Sequence, residues 1–594
     1  MEKPVTPDRW SLTSWFTAFG APDYVAFKEE LARDIAAFAV PSGSGELADT
    51  IAAYETLGVR YWHLSAFLGC LSADDANDEA VKADEAWCAT LEAGCSKIKS
   101  ALQGALAALD DNTFNTVLTN PAVAGAEHTV RRMREAGRQL MEQNMEALAA
   151  DLGVDGISAW GRLYETLTGK LEFPMTFPDG HVEQVPMARR RALMSEPDRA
   201  VREAAFRDGQ KPWHDHSVTL AAALNSIAGT RLTLYGRRGI GHFLETPLFD
   251  AAMSRGSLEA MLAAIHQHLE IPRDMLRAAA QLQGTAALQY FDLEAPQVAA
   301  PEEKPLSWDE ACGTVDRSFS AAYPALGAYL RDMLSSHWIE AQARPGKRPG
   351  AFCTGSQLKK EERVYMTWHN TMHDMVTLAH EAGHAWHSRV LRPARPFAAE
   401  YPMTLAETAS NFGEMILLNG LLSDPALTPA MKAYLLDQEM LRAHAYLLNI
   451  PMRFEFERSF YEERRSGEVS VSRLRELMTA AQRKIYGDTL LPDGCDDMFW
   501  ASKMHFFITG VSFYNFPYVF GYLLCQALYA RFKAEGPSFL PAYEKFLAMT
   551  GSASCEEVVR QSLGADLTSP DFWAAGITAL RPQVEQYAVL ARGS

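Results

Sequence analysis

The sequence predicts a mainly α protein, and three observations carry that prediction. Alanine and leucine are abundant in segments whose apolar residues recur at i, i+3 and i+4. Glycines and an Asp-Asn pair fall between these segments as breaks. Strand-like alternation is confined to two short stretches, 171–186 and 363–368.

Taken in order, the amino-terminal part reads as helices over 24–38, 45–71, 77–109, 124–152 and 157–167, a bundle with no chemistry of its own. Trp62 and His63 read as packing residues on the second of these. At 171–186 the period changes. Phe173, Met175 and Phe177 alternate, Pro178-Asp179-Gly180 makes a turn, and His181 to Val185 returns, so a short hairpin is expected. It divides an amino-terminal helical region, 1–186, from a second, mostly helical region, 187–594.

Helices resume over 187–207, 215–235 and 257–283. Gly236-Arg-Arg-Gly-Ile-Gly241 follows no strand and has neither dinucleotide-loop nor phosphate-loop spacing, so it reads as a turn between helices. The Pro- and Glu-rich run 294–305 reads as a surface connection, and Ser307-Trp-Asp-Glu310 as a capping box opening the next helix. Gly and Pro concentrate again at 343–355. Arg363-Val-Tyr-Met-Thr-Trp368 then reads as a strand, either purely structural or with an edge that pairs with an extended peptide.

Composition narrows the class. Of 594 residues, 48% are apolar and 22% charged, an ordinary soluble globular balance with enough chain for several domain-sized units. The formal charge of −18 argues against nucleic acid or an anionic membrane surface as the main partner. Eight scattered cysteines form no C-x-x-C pair and suit reduced thiols. The first residues lack a signal-type apolar core and no run of 18 or more apolar residues follows, so a cytoplasmic location without a membrane span is expected.

The chemistry concentrates at Thr377-Leu-Ala-His-Glu-Ala-Gly-His-Ala-Trp-His387. Its core, His380-Glu381-Ala382-Gly383-His384, is an H-E-x-x-H pattern. On a helix this spacing puts two imidazoles one turn apart on one face, where both reach a single metal ion. Glu381 follows the first imidazole by about 100° of rotation, beside the metal and in the position of a general base for hydrolysis. The competing reading is an ordinary amphipathic helix. The apolar flanks, among them Met375, Leu378, Ala382 and Trp386, make that reading costly, because they would bury an unpaired Glu between two His.

A third ligand must come from elsewhere. No H-x-x-G-x-x-H continuation follows, although His387 lies three residues past His384. Glu407, 23 residues after His384, opens a segment that also carries Glu414, and the two carboxylates share a helix face two turns apart. Such a face can supply one ligand and one partner that fixes an imidazole. Thr404-Leu-Ala-Glu407 is equally a capping box, so residue chemistry alone leaves the role of Glu407 open.

His380-Glu-Ala-Gly-His-Ala-Trp-His387, Ala406-Glu-Thr-Ala-Ser410, Trp500-Ala-Ser-Lys-Met-His505 and Ser512-Phe-Tyr-Asn-Phe-Pro-Tyr-Val-Phe-Gly-Tyr522 together resemble the M3 family of zinc metallopeptidases, in its oligoendopeptidase F branch. The resemblance covers roughly residues 170–585. It implies a mainly α, two-lobed helical metallopeptidase that encloses a deep substrate cleft, with a small β-sheet beside the H-E-x-x-H helix. It implies one zinc ion per chain held by His380, His384 and Glu407, with Glu381 as general base, and cleavage of short oligopeptides. Gly383, before the second His, suits close packing beside the metal.

Hydrolysis also needs donors for the oxyanion. His505 and Tyr522 are the expected catalytic donors, with Tyr514 and Tyr518 as substrate-binding neighbours; the tyrosines, at i, i+4 and i+8, would line one helical stripe. The alignment is divided here, because the Phe-Tyr-x-x-x-Tyr part matches the oligoendopeptidase pattern whereas Gly521-Tyr522-Leu523 matches the thimet-type branch. Rival functions are a catalytically silent helical peptide-binding protein and a metallohydrolase of non-peptide amides. Cleavage-site preference and oligomeric state are not legible.

Overall fold

The structure is a computed structural model that describes residues 6–41, 43–299, 301 and 305–593. It is mainly α, with two small sheets. No helix among the described residues is long and apolar enough to cross a membrane.

The first helices follow the apolar period closely, at Pro22–Ala37, Leu47–Asp74, Glu79–Ala108 and Ile157–Thr168. His63 is buried as expected, whereas Trp62 is 53% exposed and lies outside the core. The Asp110-Asp111-Asn112 break hides a further helix, Asp111–Leu118, because the Asp110 carboxylate caps it by accepting from the Asn112 and Thr113 amides. Three expected helices are each split in two. The 124–152 segment is Glu127–Arg138 and Gln143–Asp155; 187–207 is Met187–Leu193 and Arg199–Asp215, separated at Pro197-Asp198; 257–283 is Arg255–Gln267 and Glu270–Leu282. In the second case Asp198 caps the new helix at the Ala200 amide, a local signal that outweighs the continuing apolar period.

The hairpin forms as expected. Strands β1, Glu172–Thr176, and β2, Val182–Pro186, pair antiparallel from Glu172↔Pro186 to Thr176↔Val182. Phe173 and Met175 are fully buried, and Gly180 takes a left-handed φ of 89° in the turn. The 294–305 connection is described only in part, since residues 300 and 302–304 lie outside the described residues. Ser307 and Glu310 form the expected reciprocal capping box.

The second sheet departs from expectation in a way that affects function. Strand β3, Ile339–Glu340, β4, Phe352–Ser356, and β5, Glu361–Tyr365, are ordered β3-β5-β4. The strand expected at 363–368 is thus the central one. β5 pairs parallel with β3 and antiparallel with β4, and beyond its end the Trp368 amide still donates to Ala341. It has no free edge for a peptide; β4 lies at the edge instead.

Two compact units divide the chain. The first takes the described residues of Met1–Leu140, Glu303–Asp424 and Arg531–Ala565, and the second those of Met141–Glu302, Pro425–Ala530 and Asp566–Ser594. In the first, a core of Trp15, Phe16, Tyr24, Phe67, Leu102 and their neighbours joins the early helices. The Arg363 guanidinium is buried beside it, donating to Ser11 O, Ser14 Oγ and Glu361 Oε2, and so ties the amino-terminal segment to β5.

Candidate functional site

The H-E-x-x-H residues stand on the helix Met372–Leu391. Thr371 and Asp374 form its capping box, and the Asp374 carboxylate also accepts from the His369 amide, so the helix start is fixed two turns before His380. Glu407 is the residue at which the next long helix, Thr408–Ser423, begins. The capping box suggested by Thr404 does not form: Pro402 precedes the one-turn helix Met403–Ala406, and the Thr404 hydroxyl lies 3.3 Å from Cys555 Sγ. The Glu407 side chain is thereby left to face the two imidazoles.

Two glycines bring these helices together. A Cβ on Gly383 would stand 2.4 Å from the Ala409 carbonyl oxygen and 2.7 Å from Ser410 Cα; one on Gly413 would stand 2.7 Å from the Ala379 carbonyl oxygen. Backbone therefore lies against backbone at the crossing, a separation only glycine permits. Glu407 reaches His380 and His384 across it.

The three side chains converge. His380 Nε2 and His384 Nε2 are 3.2 Å apart, and Glu407 Oε2 is 3.3 Å from the first and 3.5 Å from the second. Tetrahedral ligands bound about 2.0–2.2 Å from one zinc ion stand roughly 3.3–3.6 Å apart. The donor set and its spacing fit such an ion, and these three residues are the candidate metal group found among the described residues.

Supporting contacts orient these side chains. Glu414 Oε1 lies 2.5 Å from His380 Nδ1, which leaves Nε2 pointing at Glu407. Ser410 Oγ donates to Glu407 Oε2 at 2.8 Å. Burial works against a charged His380, but the Glu407 and Glu414 carboxylates outweigh it and push the group up to about 10. The His380 and His384 bonds in turn hold Glu407 well below the usual carboxylate range despite its burial. This pocket is built for positive charge.

Glu381 is 5% exposed, and its Oε2 is buried with no hydrogen-bond partner among the described residues. Burial raises it above the ordinary glutamate value, the two histidines opposing. Cys353 on β4 feels the same carboxylate, which adds to burial in raising its thiol. The edge strand packs against the helix that carries Glu381. His387 does not join the group. It is buried, bonded through Nε2 to Thr550 Oγ1 at 2.8 Å and stacked on Tyr401, and burial pushes it down to about 3.

The four expected donors belong to the second unit. His505 stacks on Tyr514 with centroids 5.9 Å apart, and Tyr514 meets Tyr518 edge-on at 5.1 Å. The expected helical stripe is incomplete, because the helix begins at Phe516 and Tyr514 precedes it. Tyr522 is 2% exposed and stacked at 4.5 Å on Tyr446. Burial, then the charges of Lys503, Arg453 and Arg191, push His505 down to about 4, so its imidazole is neutral near pH 7.

The loop carrying Tyr514 is clamped. Arg231 donates to the Ile508 and Val511 carbonyls, and the buried Glu457 accepts from the Phe513 amide at 2.8 Å and Asn515 Nδ2 at 2.7 Å. Phe513 is held at a φ of 54°, an unusual value for a bulky residue. Arg231 and Glu457 lie far from the loop in sequence, and no local pattern marks them.

Comparison with known proteins gives a consistent result. The pattern of "Peptidase family M3" matches residues 319–578, and that of "Oligopeptidase F" matches residues 106–173. Oligopeptidase PepF of Bacillus subtilis is 23% identical over 470 residues, 78% of this chain and 68% of the relative. Group B oligopeptidase PepB of Streptococcus agalactiae is 23% identical over 488 residues, 80% of this chain and 79% of its own. In fold, the chain is similar to oligoendopeptidase-F from Enterococcus faecium, with a TM-score of 0.69 at 18% identity over 96% of this chain and 98% of that one.

Proposed function

The chain belongs to peptidase family M3, and we propose that it hydrolyses peptide bonds within short oligopeptides, using one zinc ion and Glu381 as general base. The observation that carries this reading is the triangle of His380 Nε2, His384 Nε2 and Glu407 Oε2 beside a buried, unpaired Glu381 oxygen.

When bound by the three ligands, zinc supplies Lewis acidity to a water molecule and to the scissile carbonyl. Glu381 takes the proton of the attacking water and returns it to the leaving amine. Glu414 holds His380 in the tautomer that presents Nε2. An extended substrate backbone pairs with the edge of β4, the role that the sequence pattern suggested for β5.

Of the four candidate donors to the oxyanion, His505, Tyr514 and Tyr518 form one half-buried run, which supports them in that role. Tyr522, stacked on Tyr446, is only 2% exposed and so less accessible than these three. Eight free thiols suit a reducing cytoplasmic setting.

A digest of a mixed peptide library, followed by mass spectrometry with and without a chelator, tests the proposal. Internal cleavage of short peptides that stops with chelator and returns with zinc is the expected result. Cleavage that is indifferent to chelator, or confined to terminal residues, would overturn it.

A further inference from the structure

The segment that carries His505 and Tyr514 is fixed at both ends by helices of its own unit, the second. At the His505 end, Phe507 stacks at 3.9 Å on Tyr164 of the helix Ile157–Thr168, and a Cβ on Gly161 of that helix would stand 2.8 Å from Thr509 Cγ2. Further on, Arg231 of the helix Ser217–Arg237 donates to the Val511 carbonyl at 2.5 Å, to the Ile508 carbonyl and to the Tyr461 hydroxyl at 2.9 Å. At the Tyr514 end, Glu457 of the helix Ile450–Arg464 uses both carboxylate oxygens. Oε1 accepts from the Phe513 amide at 2.8 Å and Oε2 from Asn515 Nδ2 at 2.7 Å. Asn515 Oδ1 in turn accepts from the Phe516 amide at 2.6 Å, where the next helix begins.

Phe513 is the strained residue of this segment, with a φ of 54°. A bulky side chain in that region costs free energy and persists only where its surroundings over-determine it. Here they do so twice. The ring is 1% exposed, stacked on Phe243 at 5.5 Å and packed against Tyr461 at 5.2 Å and Phe454 at 5.7 Å. The amide is held by Glu457. That carboxylate is itself unfavourable where it stands, because burial pushes it up to about 7 against the opposing effects of the Phe513 amide, Arg231 and Asn515. An apolar side chain of similar volume would fill the core without that cost; what the carboxylate adds is its hold on the loop.

We propose that Glu457 and Arg231 are positioning residues for Tyr514. By keeping Phe513 in its left-handed conformation they set the direction in which the next residue leaves the backbone, and with it the stack of Tyr514 on His505. The consequence for turnover rests on the reading of Tyr514 as a donor to the oxyanion. A phenol carried on a loop stabilises a developing charge only if its place is set beforehand.

The test separates the hydrogen bonds from general packing. Glu457→Gln keeps the shape of the side chain but leaves one acceptor where two donors converge. Adding Asn515→Asp exchanges donor and acceptor and restores the lost bond. In the full-length, zinc-loaded protein, amide hydrogen exchange over 508–516 is expected to quicken about tenfold or more in Glu457→Gln and to return to within about threefold of the parent in the paired variant. Turnover of an oligopeptide follows the same order. The kcat falls about tenfold or more with KM within about threefold, recovers in the pair, and falls less than about twofold further when Tyr514→Phe is added to Glu457→Gln. Thermal melting checks folding, and Asn515→Ala, which removes the same bond from the loop side, replaces Glu457→Gln if that variant does not fold. Unchanged exchange, exchange that the pair fails to restore, or a Tyr514→Phe effect that is as large in Glu457→Gln as in the parent would overturn the proposal. If Tyr514→Phe alone leaves kcat unchanged, the donor reading of Tyr514 fails, and the exchange rates still decide the clamp.

Discussion

At His380 the ring nitrogens face two different carboxylates: Nε2 faces Glu407 and Nδ1 faces Glu414. The first carboxylate completes the candidate ligand set and the second fixes the ring. Removing the second leaves three ligands but frees the imidazole to turn. Glu414→Ala is therefore expected to weaken zinc affinity by roughly 10–100-fold while leaving the helix content unchanged, as read by competition with a metal-binding dye and by circular dichroism. An unchanged affinity would remove Glu414 from the site. The spacing of Glu407 and Glu414 was visible in the sequence, but which carboxylate does what was not. Thr404-x-x-Glu407 satisfies a capping pattern on paper, and only the fold shows Pro402 preceding that turn and Thr404 turned toward Cys555.

Between elements, the decisive contact is the crossing of Met372–Leu391 with Thr408–Ser423. Gly383 and Gly413 let each backbone touch the other, and a methyl on Gly383 would meet a carbonyl oxygen at 2.4 Å. Gly383→Ala should separate the helices. A loss of about 1–3 kcal/mol in stability is expected, together with weaker zinc binding, since Glu407 moves with its helix; denaturant unfolding of the metal-free and zinc-loaded protein measures both. A variant as stable and as zinc-avid as the parent would show that the crossing tolerates a side chain. Close packing at Gly383 could be anticipated from the motif, whereas Gly413 gives no sign of itself, being one glycine inside an ordinary helix. The strand order is similarly hidden. Residues 363–368 show β character, but a central and an edge strand of five residues look alike until the partners are known, and β3 pairs over only two residues. Helix breaks at Pro197 and at 139–142 are hidden in the sequence because the apolar period continues on both sides of them.

The whole chain is interleaved: each compact unit is assembled from three separated stretches. Reading in order reveals helices and motifs, because helix period and ligand spacing are local. It does not reveal which stretches share a core, because that depends on contacts hundreds of residues apart, such as the Arg363 bonds to Ser11 and Ser14. The same holds for function. His380, Glu381 and His384 lie within five residues and form a pattern that a sequence displays, whereas Arg231 and Glu457 hold the Tyr514 loop through partners distant in sequence and show no pattern. The central claim is that Glu381 moves the proton while His380, His384 and Glu407 hold the metal. Its most direct test is to measure turnover of a quenched fluorescent oligopeptide and zinc content on the same samples of wild-type and Glu381→Gln protein. Glu381→Gln is expected to keep about one zinc per chain, as its ligand set is intact, and to lose nearly all turnover. Substantial turnover by a zinc-loaded Glu381→Gln protein would contradict the account.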